Sequence, residues 1–230
     1  MSLNLNKDII YPNIMICGSS GSGKSTSLRN LNPDTTAIVN IERKQLPFRG
    51  YSKFKYHKFV QTASDVVTEM FNFSIKPDVE VIALESFTSY AESVIKQVRT
   101  SATGDGFKTW DNHNKLIRDF MDNNKSIKGK FVVFLAIDEL LQEGSGDGVT
   151  NKSVRRCWVK GKELEGKIEK EFVICFWTLV EKELAGTMKY QFLTNTDGVC
   201  AAKTPMNMFS QLKIDNDLNA AIQVIKKYYE

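Results

Sequence analysis

The residues best suited to carry out chemistry form one short segment near the start of the chain. In order they are Gly18, Ser19, Ser20, Gly21, Ser22, Gly23, Lys24, Ser25 and Thr26. They match the pattern G-x-x-x-x-G-K-[ST], in which the glycines let successive backbone N–H groups converge on phosphate oxygens. In such a P-loop, Lys24 would reach the β and γ phosphates of a nucleotide and Ser25 would coordinate Mg²⁺. The segment therefore predicts a site for ATP and Mg²⁺.

The residues on either side of the P-loop support this prediction. An apolar run at 13–17 is typical of a buried strand, and residues 24–31 are typical of a helix. A helix that begins at the loop would direct the positive end of its dipole at the bound anion. The alternative, a solvent loop rich in Gly and Ser, does not require a strand before it and a helix after it.

A P-loop also needs a carboxylate to help hold the metal, and two acids are candidates. Glu85 ends the apolar run 79–84 and follows Ser25 by 60 residues; Asp138 ends the run 131–137 and follows it by 113. The spacing favours Glu85, because Asp138 would require a large insertion. Either acid could instead be a solvated residue at a strand end.

Glu42 is a candidate for activating the attacking water. It directly follows the predicted strand 36–41. If that strand lay beside the P-loop strand, Glu42 would approach the γ-phosphate, where a carboxylate can orient or deprotonate water. The alternative is a surface ion pair with Arg43 or Lys44. Lys24 and Glu42 are thus the candidate catalytic residues.

The elements that must position these side chains follow an alternating pattern. Apolar, β-branched runs predict strands at 13–17, 36–41, 79–84, 131–137 and 172–180. Helical patterns lie between or after them, at 24–31, 63–71, 87–99, 110–124 and 216–229. Strands that alternate with helices predict an α/β fold with a mostly parallel sheet flanked by helices. A C-terminal hairpin of 189–193 with 199–202 is also predicted, and residues 1–230 are expected to form a single domain.

Composition excludes several classes of protein. With 42% hydrophobic and 25% charged residues, the chain is not collagen-like, coiled-coil or disordered. Its longest apolar runs fall well short of the ~20 residues that cross a bilayer, so we expect a cytoplasmic protein with no membrane association. The four cysteines lie far apart and should be reduced, and two histidines are too few for a His-rich metal site. A net charge of +4 does not by itself indicate nucleic-acid binding.

Two basic segments could contact nucleic acid. The segment 149–162 follows a glycine-rich stretch and contains no acid; its basic residues are Lys152, Arg155, Arg156, Lys160 and Lys162. They could track a single-stranded DNA backbone, reach the ATP site of a neighbouring subunit, or form a solvated loop. The segment 43–64 interleaves basic and aromatic residues, as single-strand binders do, but an amphipathic strand would give the same pattern.

The P-loop, the run 38–48, the segment 106–111 and the tail 203–218 together resemble the phage-encoded RecA-core nucleotide-binding proteins, some of which are single-strand annealing or recombination ATPases. The resemblance implies that Glu42 polarises water, that Glu85 is the metal-associated acid and that Asp138 occupies the γ-phosphate sensor position. It also implies that the loop after the sensor strand contacts single-stranded DNA. Two departures stand out: Glu85 replaces the usual aspartate, and Asp138 replaces a neutral polar residue.

These observations predict an ATP-hydrolysing phage recombination or annealing protein that uses ATP and Mg²⁺. Its expected partners are single-stranded DNA, further copies of itself and a single-strand binding protein, in the host cytoplasm if the chain is phage-encoded. Two alternatives stay open. One is a small P-loop kinase for a nucleoside or nucleotide, with Arg155, Arg156 and Lys160 as a phosphate-clamping lid; the other is a nucleotide-gated adaptor that does not hydrolyse ATP.

Overall fold

The computed structural model describes residues 2–101, 106–144, 151–161, 163–164, 166–183 and 186–230. Its strands are β1 (Ile14–Gly18), β2 (Thr36–Asn40), β3 (Tyr56–Phe59), β4 (Val81–Glu85), β5 (Phe131–Gly144), β6 (Asn151–Cys157), β7 (Ile174–Lys182), β8 (Met188–Leu193) and β9 (Lys213–Asp215). Its α-helices are α1 (Ala63–Ser74), α2 (Phe87–Ser101), α3 (Gly106–Lys125) and α4 (Leu218–Tyr229).

The strands form one sheet in the order β3-β2-β4-β5-β1-β7-β8-β9, and β6 pairs with β5 alone. The six strands from β3 to β7 along this order are mutually parallel, whereas β8 and β9 add antiparallel strands at one edge. The prediction of a mostly parallel α/β sheet is confirmed. Parallel strands place all their carboxyl ends at one edge of a sheet, which is where ligands bind in open α/β folds.

The central strands are buried on both faces, which explains their nearly continuous apolar sequences. Along β1, Met15 and Cys17 face a core made with α1, α2 and α3, while Ile14 and Ile16 face a second core made with α4 and the N-terminal segment. Alternation along each strand thus divides its side chains between two helical layers. The sheet therefore lies between the two layers.

Local sequence sets where the flanking helices begin. The Thr62 side chain accepts a hydrogen bond from the Asp65 amide, and the Asp65 carboxylate accepts one from the Thr62 amide, which forms a capping box at the start of α1. Asp217 caps α4 by accepting from the Ala220 amide. Because Leu218, Ile222 and Ile225 recur on one face of α4, that face is buried against the sheet.

Several elements differ from the sequence prediction. The helix expected at 24–31 is a short 3-10 helix, Ser25–Asn30. The predicted pairing of 189–193 with 199–202 is wrong, because β8 pairs with β7 on one side and with β9 on the other. β5 extends seven residues beyond Ile137 because it pairs antiparallel with β6. Residues 145–150 of the glycine-rich stretch lie outside the described residues.

The basic and aromatic segment 43–64 contains only one short strand, β3, at the sheet edge. Phe54 is buried in the core, and Lys55 forms an ion pair with Asp78 at 3.0 Å. All four cysteines are buried free thiols, as expected for reduced residues. None of the described helices contains an apolar stretch that could span a bilayer.

Candidate functional site

Sheet register gathers the candidate residues at one edge. Gly18, the last residue of β1, pairs with Ile137 of β5. Asp138 is the next residue of β5 and therefore lies beside the start of the P-loop. Glu85, the last residue of β4, pairs with Leu135 of β5 on the opposite side of that strand. The strand β5 therefore separates the P-loop strand from the strand that ends in Glu85, and both acids reach the same edge.

The P-loop backbone follows the path that its glycines permit. Gly21 and Gly23 have φ values of +78° and +97°, which other residues rarely adopt. At Gly18 the reason is space: a Cβ there would lie 1.9 Å from Thr178 Oγ1 of β7. The amides of Gly23, Lys24, Ser25 and Thr26 find no acceptor within the described part of the chain. Successive amides of this kind form a concave anion-binding surface.

Lys24 is folded back over this loop. Its Nζ donates hydrogen bonds to the carbonyl oxygens of Gly18 at 2.7 Å and Ser19 at 2.8 Å, and the residue is only 9% exposed. Burial lowers the pKa of Lys24, while nearby acids, including Glu85 and Asp138, oppose that shift. The ammonium group thus sits at the loop, partly desolvated, where a phosphate would strengthen its charged form.

Ser25 and Glu85 are in direct contact. Ser25 Oγ donates a 2.7 Å hydrogen bond to Glu85 Oε1, and Glu85 Oε2 is buried without a hydrogen-bond partner among the described residues. Burial raises the pKa of Glu85 to about 7; the bond from Ser25 opposes this and the charge of Glu42 adds to it. An unsatisfied buried carboxylate oxygen beside a hydroxyl is a donor set that fits Mg²⁺.

An ion held there would need further ligands. Within the described ranges, no group of three or more His, Cys, Asp or Glu residues is placed to hold a metal. Mg²⁺ is commonly bound through one or two carboxylates, water and substrate phosphates rather than by an all-protein cage. Ser25 and Glu85 therefore fit an ion that arrives with a nucleotide.

Asp138 lies in a different environment from Glu85, although both end at the same edge. Its side chain is 2% exposed and accepts hydrogen bonds from Ser19 Oγ at 3.0 Å, Arg155 Nη1 at 2.9 Å and Trp177 Nε1 at 3.0 Å. These donors occupy both carboxylate oxygens and balance the charge. Asp138 is thus turned towards Arg155, which removes the repulsion that an isolated acid would exert on a phosphate.

Glu42 reaches the site by a route other than the one considered from sequence. Its strand β2 does not lie beside β1, because β4 and β5 stand between them. The carboxylate nevertheless accepts a 3.4 Å hydrogen bond from Ser89 and lies close enough to raise the pKa of Glu85. It also forms a 3.1 Å ion pair with Lys44, whose side chain is 79% exposed. The interpretation as an ion pair with Lys44 is confirmed, the expected adjacency of β2 and β1 is wrong, and the role in activating water stays a prediction.

The five basic residues proposed for DNA do not form one patch. Arg155 is docked on the P-loop, Lys160 lies 3.6 Å from Glu92, and Lys152 is exposed on β6. Arg156 neighbours Lys152 around a cleft of about 390 Å³ that Lys203 also lines. Lys162 lies outside the described residues. The hairpin of β5 and β6 thus carries basic residues in two settings, one at the P-loop and one on the outer surface.

Sequence reasoning missed the contact between Arg155 and Asp138. In the β5–β6 register, Asp138 faces Cys157 and Leu140 faces Arg155. Arg155 is therefore the diagonal neighbour of Asp138 on one face, a distance that long side chains span. Interpreting 138–157 as a hairpin would have revealed this pair. No local signal pointed to Thr178 or Trp177, since both come from a strand that follows much later in the chain.

No protein-family model matches the chain, and no curated protein matches it by sequence. Among solved structures, the chain is similar to a KaiC-like protein from the hyperthermophilic archaeon Pyrococcus horikoshii OT3. The two are 10% identical, the alignment covers 88% of this chain and 84% of the other, and the TM-score is 0.49.

Proposed function

We propose that this protein binds ATP with Mg²⁺ at the P-loop and hydrolyses it. The proposal depends on one observation: Lys24, the open amides of residues 23–26 and the Ser25–Glu85 pair all surround the same loop. A backbone with unsatisfied donors needs an acceptor, and a triphosphate supplies several. No other cluster among the described residues combines these groups.

Each residue has a distinct role in this scheme. Lys24 and the loop amides hold the β and γ phosphates, and Ser25 and Glu85 hold the ion, which when bound neutralises charge that builds up on the phosphates. Glu42, which lies close enough to Glu85 to affect its pKa, orients the attacking water or accepts its proton. Glu85 must lose its proton before it can bind the ion, so its raised pKa links ion binding to pH.

We further propose that the protein acts in phage DNA recombination or annealing and holds single-stranded DNA as a homo-oligomer. Support comes from the β5–β6 hairpin, which extends from the nucleotide site and carries Lys152 and Arg156 on its second strand. Lys203 adds a third basic residue beside them. Basic side chains around one cleft can neutralise successive phosphates of a strand.

The first experiment measures ATP turnover by the full chain, with and without single-stranded DNA, at two salt concentrations. We expect free inorganic phosphate as product, faster turnover with DNA and weaker DNA binding at high salt. Lys24→Ala should abolish nucleotide binding, whereas Lys115→Ala, which removes an exposed ion pair on α3, should not. A wild-type protein that retains no Mg-ATP at millimolar concentration would refute the proposal.

The same assay separates the two alternatives. A phosphorylated nucleoside or nucleotide as product would identify a kinase, although Arg155 is held on the P-loop and Lys160 beside Glu92 rather than together in a lid. Tight ATP binding without turnover, even with DNA present, would identify a nucleotide-gated adaptor. A rate of inorganic phosphate release that increases as single-stranded DNA is added would support the recombination ATPase.

A further inference from the structure

Two cationic side chains converge on one residue of the P-loop. Lys24 Nζ donates to the Ser19 carbonyl oxygen at 2.8 Å, and Arg155 Nη1 donates to Ser19 Oγ at 2.8 Å. Lys24 belongs to the loop itself, whereas Arg155 comes from β6, 136 residues further along the chain than Ser19. Arg155 therefore brings a second cationic side chain to this loop, together with Asp138, which balances its charge.

A buried acid holds Arg155 in this position. Arg155 Nη1 also donates to Asp138 Oδ2 at 2.9 Å, and that oxygen receives a second bond from Trp177 Nε1 at 3.0 Å. Because the Asp138 side chain is 2% exposed, moving Arg155 away would leave a buried carboxylate without its counter-ion. Arg155 is thus anchored at the nucleotide site of its own chain.

The guanidinium group has donors left for a ligand. Both of its bonds use Nη1, while Nη2 and Nε donate to no residue within the described ranges. The side chain is 38% exposed, so one edge of the planar group faces solvent beside the loop. A guanidinium edge with two free donors matches two oxygens of one phosphate.

We propose that Arg155 contacts the γ-phosphate of ATP bound to the same chain, with Asp138 as its positioning residue. The contact forms through the free edge of the guanidinium while Nη1 keeps its bond to Asp138. ADP lacks the group that Arg155 reaches, so this residue distinguishes the two nucleotides. The inference rests on the proposed ATP site and adds the residue that senses the nucleotide state.

The contact would also connect the nucleotide to the β5–β6 hairpin. Arg155 pairs with Leu140 of β5, and its amide donates a 2.7 Å hydrogen bond to the Val199 carbonyl oxygen. A phosphate that binds the Arg155 side chain therefore restrains both strands of the hairpin and the segment around Val199. Lys152 and Arg156 lie on the same strand, so the surface proposed for DNA would respond to ATP and not to ADP.

The test compares affinities of the full-length protein for a non-hydrolysable ATP analogue and for ADP, both with Mg²⁺. Arg155→Ala should weaken analogue binding roughly ten- to a hundredfold, as expected for loss of a charged hydrogen-bond pair, and ADP binding less than about threefold. The affinity of Arg155→Lys for the analogue should lie between the affinities of the wild type and of Arg155→Ala, because lysine keeps the charge but lacks the planar edge. Arg118→Ala, which removes an exposed arginine paired with Glu163, is the matched control and should change neither affinity.

Asp138→Asn tests the positioning role with a side chain of the same shape. It should reduce discrimination between the analogue and ADP in the same direction as Arg155→Ala, and the double variant should be no worse than Arg155→Ala alone. If Arg155→Ala does not fold, as judged by circular dichroism, Arg155→Lys and Asp138→Asn decide the question. If both variants distinguish the analogue from ADP as strongly as the wild type does, the inference is overturned.

The failures are distinguishable. If the wild-type protein binds neither nucleotide, the proposed function fails and the role of Arg155 fails with it. If the wild type binds both nucleotides and Arg155→Ala keeps the wild-type preference, the ATP site stands but the role of Arg155 is refuted. Equal weakening of both nucleotides by Arg155→Ala in a folded protein would also refute a γ-phosphate contact.

Discussion

The hydroxyl of Ser25 and the carboxylate of Glu85 lie 2.7 Å apart, although 60 residues separate them in the chain. Glu85 ends β4, whereas Ser25 begins the 3-10 helix after the P-loop that follows β1, and β5 lies between those two strands. Their contact leaves Glu85 Oε2 buried and without a partner among the described residues. The fold thus brings together the two side chains that are proposed to bind Mg²⁺.

Removing the Ser25 hydroxyl should weaken the proposed ion site. We expect Ser25→Ala to reduce the gain in ATP affinity that Mg²⁺ produces by about tenfold, or ~1.4 kcal/mol, while ATP binding in EDTA stays near the wild-type value. Titration of Mg²⁺ against a bound fluorescent ATP analogue measures this gain. Ser64→Ala, on the exposed side of α1, is the control. An unchanged Mg²⁺ effect in Ser25→Ala would show that the hydroxyl does not hold the ion.

Burial of Glu85 should make stability depend on pH. Its pKa is raised from 4.5 to about 7, so between these values the folded protein binds more protons than the unfolded chain, and stability falls as pH rises. In EDTA, we expect a loss of about 3 kcal/mol across this window, levelling off above pH 7. The free energy of unfolding of Glu85→Gln should not show this decrease with rising pH. Urea unfolding of both proteins at pH 4.5, 6 and 8 measures the difference, and parallel curves would contradict the prediction.

Two glycine substitutions in the P-loop should differ in severity. A Cβ at Gly18 would lie 1.9 Å from Thr178 Oγ1, so Gly18→Ala should destabilise the protein by about 2–3 kcal/mol through overpacking. At Gly21 nothing lies within 4 Å of the added carbon, and only the φ of +78° is unfavourable, so Gly21→Ala should lose about 1 kcal/mol. Urea unfolding without nucleotide compares them. Equal losses would show that the close approach of Thr178 does not matter.

Replacing the Glu42 carboxylate should slow hydrolysis and spare binding. If Glu42 activates water, Glu42→Gln should lower kcat by roughly 10²–10⁴-fold with little change in affinity for a non-hydrolysable analogue. Lys44→Ala is the matched control, because it removes the exposed partner in the 3.1 Å ion pair and leaves the carboxylate. We expect near-normal turnover from it. Similar kcat values for both variants would indicate that Glu42 serves only as an ion-pair partner.

Lys152 should contribute to binding of single-stranded DNA through charge. Lys152→Ala is expected to weaken DNA binding without changing ATP affinity, and to reduce the slope of log K against log salt by about 0.7, the value for one phosphate contact on a single strand. Fluorescence anisotropy with a labelled oligonucleotide at several salt concentrations gives the slope. Lys115→Ala, on α3, is the control. An unchanged slope would remove Lys152 from the proposed interface.

The sequence by itself determined the P-loop and the alternation of strands and helices, since both are encoded locally: glycines permit the loop, and runs such as 131–137 must be buried on both faces. The fold class and the five core strands were therefore predictable, whereas β3, β6 and β9 were not predicted. Element ends were less so, because the short 3-10 helix after Lys24 and the extension of β5 into a hairpin depend on contacts with distant strands.

Only the tertiary structure decided how the two acids at the sheet edge differ. Glu85 and Asp138 each follow an apolar strand, and nothing local distinguishes them. Insertion of β5 between β1 and β4 places Glu85 against Ser25, while the antiparallel return of β6 brings Arg155 to Asp138. Strand order and hairpin register are non-local properties that depend on packing across the whole sheet, so the environment of each carboxylate cannot be inferred from its neighbours in sequence.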